Sequence, residues 1–84
     1  MTLDELRHEI NQIDESLLKL FKKRMAVSKA IGEYKKQHDL PVLDASREQA
    51  IYDRLRQQLD DESLWPYYKT FVKTVMDLSK EIQK

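Results

Sequence analysis

An 84-residue chain with 15 basic and 15 acidic side chains carries no net charge, which excludes a polyanion binder that relies on surplus Lys and Arg; nucleic acid is not an expected partner. A compact monomer this small buries only about 60% of its unfolded surface. With no cysteine and two isolated histidines, neither disulfides nor a zinc site can reinforce it, so oligomerisation is the expected source of stability.

One glycine, two prolines and 36% charged residues describe an all-α chain with few turns, read as a single domain over residues 1–84. The opening "MTLDELRHEI" carries acids where a signal peptide carries bases, and no apolar run approaches the roughly 20 residues of a membrane span. A cytoplasmic address without membrane contact is expected. Thr2 followed by Glu5 forms a capping box, and the next strong breaker is "HDLPV" at 38–42, which predicts a first helix over about 3–37. Along it Leu3, Leu6, Ile10, Ile13, Leu17, Leu20, Arg24, Val27, Ile31 and Tyr34 alternate steps of three and four, the seam of a helix packed lengthwise against others. Such a helix is roughly 50 Å long. Two short helices cannot cover it, so a second copy is expected to. Gly32, costly inside a helix, has either a packing reason such as close helix approach or none.

A second helix is predicted over about 45–59, capped by Asp44 or by Ser46 paired with Gln49, with Ile51, Leu55 and Leu59 on its buried face. The cluster "DDES" turns the chain into a third helix over about 64–83, where Pro66 fits the first turn. Its stripe of Trp65, Tyr68, Val72, Val75 and Met76 continues through Ser79, Ile82 and Gln83.

Arg24 interrupts the first seam. A charge there either snorkels or sets register, or it faces a ligand. Lys35, eleven residues on, projects from nearly the same face about 16 Å further along, where it also complements the negative end of the helix dipole. Arg7 stands roughly 25 Å before Arg24, so one small ligand reaches both only if an antiparallel partner brings Arg7 alongside. Arg47 and Glu48 open the second helix, an acid near the positive dipole end needing no further reason. Ser79 and Gln83, four apart, share either a pocket face or an exposed, fraying terminus. Cations on a seam, flanked by polar donors, describe a pocket for a small dianion within a helical bundle. The sequence has no evident nucleophile, paired catalytic carboxylates or glycine-rich phosphate loop, which suits a reaction needing only grip and electrostatics.

The stretches "LRHEINQIDESLLKLFKKRMAVSKAIGEYKK" and "LPVLDASREQAIYDRL" resemble the first helix and the loop with second-helix signature of the all-α chorismate mutases. The arginine after the first leucine, the "ID" pair, the central arginine, the late lysine, the proline, the aspartate and the Arg and Glu pair fall in the family's order. The resemblance implies an intertwined homodimer of three-helix chains that rearranges chorismate to prephenate with no cofactor and no metal. It implies that Arg24 and Arg7 of the second copy hold substrate carboxylates, assisted by Arg47 and Ser79. Lys35 and Gln83 would donate to the ether oxygen and Glu48 would accept from the ring hydroxyl, with the Asp44 backbone nearby. A turn near "DDESLW" one residue shorter than the family pattern puts Ser79 and Gln83, rather than Leu78 and Ile82, in the matching places. Alternatives are an isochorismate pyruvate lyase, whose family usually lacks an acid after the helix-two arginine, and a non-catalytic helical dimer or regulatory binding module.

Overall fold

Thr2 has an extended backbone and its hydroxyl accepts the Glu5 amide at 3.1 Å, so one orphan donor of the first turn is satisfied and a helix starts. The computed structural model describes residues 1–84 as three helices without strands: α1 (Leu3–Gln37), α2 (Ala45–Leu59) and α3 (Trp65–Gln83). α1 ends in a Schellman turn. Asp39 takes the left-handed conformation at φ 54°, and the Leu40 amide returns to the Lys35 carbonyl at 2.8 Å. The chain then passes Pro41 and bends at Val42 before Asp44, whose carboxylate accepts the Arg47 amide at 3.1 Å and caps α2.

Asp60 closes α2 in the left-handed region at φ 48°. Asp61 gathers the Ser63 and Leu64 amides on one carboxylate oxygen, so the start of α3 at Trp65 is organised from four residues back. Arg56 clasps Glu62 through two hydrogen bonds of 3.0 and 2.7 Å and lies 5.4 Å over the Trp65 ring, while Tyr52 and Tyr68 meet that ring edge-on. These contacts pin the α2–α3 corner.

α3 packs against both α1 and α2, whereas α1 and α2 do not pack on each other. The buried core is thin: Trp65, Val72, Met76 and Gln83 on α3, with Ser28 and Gly32 of α1 set against Ser79 and Gln83. Gly32 marks the closest crossing, since a Cβ there would sit 2.7 Å from Gln83 Cα and 2.9 Å from its carbonyl oxygen. Everything from Leu3 to Arg24 is exposed, including Leu6, Ile10, Ile13, Leu17 and Phe21. The molecule is accordingly 54 Å long with a radius of gyration of 15.9 Å, against about 12 Å for a compact chain of this length. It exposes 7023 Å², about 1,700 Å² more than a monomer of its mass ordinarily does.

Candidate active site

Because α1 and α2 reach α3 from different sides, a gap stays open between them, floored by the last turns of α3. On α1, Arg24, Ser28, Ile31 and Lys35 follow one another at helical spacing and face this gap together. Val42, Asp44, Arg47 and Glu48 form the opposite wall, and Met76, Ser79, Lys80 and Gln83 the floor. The cavity measures about 280 Å³, near the lower end of small-ligand sites, and is open on one side.

Every single-chain residue singled out in the sequence for this site lines that cavity: Arg24, Lys35, Asp44, Arg47, Glu48, Ser79 and Gln83. Arg7 does not. It lies on the exposed part of α1, roughly 25 Å along the helix from Arg24. Leu78, the alternative to Ser79, is 41% exposed, whereas Gln83 is buried beside Gly32 despite standing next to the last residue.

Lys35 is fixed by two acceptors, the Val42 carbonyl at 2.9 Å and Gln83 Oε1 at 3.0 Å. Gln83 Nε2 donates to Ser79 Oγ at 3.3 Å, and Ser79 Oγ donates to Ser28 Oγ at 2.6 Å. An ammonium has three N–H donors and a carboxamide two, so one donor on Lys35 and one on Gln83 remain for a ligand. Glu48 is held through Oε2 by Lys80 at 3.0 Å, which leaves Oε1 as an acceptor. That hydrogen bond, with the charges of Glu48 and Asp77 behind it, keeps the Lys80 ammonium above its ordinary range despite desolvation. Neither Arg24 nor Arg47 is engaged in an intrachain ion pair. Four cations against two carboxylates give the cavity a net charge of +2.

Ser28 and Lys80 escaped the sequence reading. The spacing of Ser28 four residues after Arg24 was the available signal, but a small polar residue within a helix carries little information alone. Lys80 was one basic residue among fifteen until the fold set it against Glu48.

A three-helix chain with a cationic, donor-lined cavity at its helix crossing is an all-α protein whose cavity has the chemistry to take an anion. Residues 6–84 match the family model of chorismate mutase type II, and the chain belongs to that family. It is 43% identical to a chorismate mutase from Methanocaldococcus jannaschii over 64% of this chain and 54% of that protein. A bifunctional chorismate mutase/prephenate dehydratase from Aquifex aeolicus is 34% identical over 96% of this chain and 25% of its own length. The chain thus spans between a quarter and about half of these curated relatives. A solved structure of a conserved hypothetical protein from Pyrococcus furiosus superposes with a TM-score of 0.79 at 32% identity, covering 100% of this chain and 97% of that one.

Proposed function

We propose that residues 1–84 form a single domain acting as a chorismate mutase, a cytoplasmic, intertwined homodimer that rearranges chorismate to prephenate in phenylalanine and tyrosine synthesis. The observation that carries this reading is the convergence of Arg24, Lys35, Arg47 and Gln83 on one cavity of net +2, opposite in sign to a dicarboxylate. In the reaction an ether C–O bond breaks as a C–C bond forms, electrons moving round a six-membered ring with no proton or group passed to the protein. The protein therefore needs to select the folded conformer and meet the charge that develops.

Arg24 and Arg7 of the second copy clamp the two carboxylates, with Arg47 assisting; the Ser79 hydroxyl, expected from the resemblance to assist as well, gives its one proton to Ser28 Oγ and holds Gln83 instead. The free donors of Lys35 and Gln83 meet on the ether oxygen, which gains negative charge as its bond to the ring weakens. Both are already ordered by their other hydrogen bonds, so little reorganisation accompanies the reaction. Glu48 Oε1 accepts from the ring hydroxyl, and the Asp44 backbone borders it. A millionfold acceleration requires about 8 kcal/mol of preference for the transition state, within reach of several charge-assisted contacts once the second copy covers the open side of the cavity.

The dimer is supported by the surplus exposed surface and by the apolar seam of α1 that no other helix of the chain covers. About 1,700 Å² per chain is in the range of obligate homodimer interfaces. An antiparallel second α1 also carries Arg7 to the open side of the cavity.

The test is the loss of chorismate absorbance on adding purified protein, with prephenate identified by acid conversion to phenylpyruvate. Turnover to prephenate is expected. A folded dimer that leaves chorismate unchanged would refute the proposal.

A further inference from the structure

Ser28 is only 3% exposed, sits at the α1–α3 crossing, and has no part in the chemistry described above. We infer that it is a positioning residue: its hydroxyl fixes the orientation of the Gln83 carboxamide, and thereby the donor Gln83 offers to the reacting oxygen. The kinetic part of this inference rests on the mutase reading; the structural part does not.

The argument starts at Lys35, which can only donate. Its contact at 3.0 Å must therefore be the amide oxygen of Gln83, which turns Nε2 towards Ser79. An N–H arriving at Ser79 Oγ obliges that oxygen to accept, so its single proton has to leave in another direction. Ser28 Oγ receives it at 2.6 Å. The donor direction thus runs from Lys35 through Gln83 and Ser79 to Ser28, and every link depends on an acceptor at its end. Were Ser28 an alanine, the Ser79 proton would lose that acceptor and turn either back along α3 to the Val75 carbonyl, as the Thr70 and Thr74 hydroxyls turn to Pro66 and Thr70, or towards Gln83. The first reorients the oxygen that receives Nε2. The second meets an N–H unless the amide flips, and a flipped amide sets its NH₂ against the Lys35 ammonium. Each outcome leaves the catalytic donor less fixed. One turn further along, Gly32 admits the Gln83 backbone so closely that the helices cannot slide to compensate.

Ser28→Ala, Gln83→Ala and the double variant would be compared on chorismate, with helicity and thermal unfolding confirming the fold of each. Losing one hydrogen bond of ordinary net worth predicts a fall in kcat of about five- to tenfold for Ser28→Ala. KM should stay within about twofold, because the affected donor acts as the bond breaks. In the Gln83→Ala background the same substitution should change nothing further. An equal loss in both backgrounds, or a change confined to KM, would overturn the inference.

A second readout needs no turnover. In ¹⁵N-labelled wild type the two Gln83 carboxamide protons should be separate and slow to exchange, and in Ser28→Ala they should move towards free glutamine and exchange faster. Unchanged signals would overturn the inference even in an active enzyme. A wild type inert towards chorismate, with Gln83 signals that respond to Ser28, would instead refute the mutase reading and leave the positioning contact standing.

Discussion

Replacing Gly32 by alanine separates the tightness of the helix crossing from the intrinsic cost of a glycine. An added Cβ would lie 2.7 Å from Gln83 Cα, and reaching the 3.4 Å of ordinary contact moves the end of α3 by about 0.7 Å. The obstacle is backbone, so no side-chain rotation relieves it. Overpacking of this kind costs about 1–3 kcal/mol, and the better helix propensity of alanine returns about 1 kcal/mol. The expected net loss is about 1 kcal/mol, read as a fall in Tm of about 4–8 °C at fixed protein concentration. Activity should suffer more. The displaced residue is Gln83 itself, whose hydrogen bond to Lys35 is 3.0 Å long, and a misplacement approaching 1 Å lowers kcat by about ten- to a hundredfold. Circular dichroism melts and steady-state kinetics on the same preparation decide the matter. A higher Tm with unchanged kcat would mean that propensity alone governs position 32 and that the crossing has slack.

Arg24→Met keeps the length and apolar stem of the side chain while removing the charge from the cavity. It should lower turnover by about 10²–10³-fold with folding and assembly intact, whereas a loss of the dimer with the activity would make Arg24 a register residue. Ile13 is 54% exposed in the single chain, so Ile13→Glu is harmless to an isolated chain but buries a charge in a paired seam. Sedimentation should give a monomer with no turnover, and an unaltered dimer would remove Ile13 from the interface. Acid stability follows Asp61, Glu62 and Asp77, whose carboxyls are held below their ordinary range chiefly by hydrogen bonds from Ser63, Arg56 and Lys73 respectively. Their contribution is present above the unfolded values of 3.8 to 4.5 and is lost as pH falls through the lower folded values. Lys73 and Lys80, raised by Asp77 and Glu48, contribute below 10.5 and lose that contribution at higher pH. Urea midpoints should therefore be level through neutral pH and decline below about pH 4, less steeply in high salt. A midpoint that rises on acidification would contradict these pairings.

Local chemistry made much of the fold readable in the sequence. Thr2 and Asp44 each accept the amide three residues on, as caps do, while Ser46 and Gln49 bond to Asp44 and Asp53 instead of forming a box of their own. Asp39 was harder, because a left-handed residue that is not glycine leaves only a weak trace in sequence. Arg24 stood out because a charge on an apolar seam breaks a period, and Lys35 followed from it by lying almost three full turns further along nearly the same face. Gln83 was ambiguous for the opposite reason: a polar residue at the end of a helix looks solvated, and its burial comes from the close approach to Gly32 and the contact with Lys35, both far away in sequence. Ser28 and Lys80 break no pattern. Their partners, Ser79 and Glu48, are 51 and 32 positions away in the chain, and such pairings are properties of packing.

The distance along α1 between Arg7 and the cavity has a genetic consequence under the proposed pairing. A chain altered at Arg7 carries a sound cavity of its own and spoils the one on its partner, whereas a chain altered at Arg24 does the reverse. Two such alleles, each inactive alone, complement when expressed together, because a mixed dimer contains one site free of either lesion. Random pairing makes half of all dimers mixed, so about a quarter of the sites are restored. By the same arithmetic, a single defective allele withdraws no more than its proportional share, and the locus behaves as neither dominant nor silent.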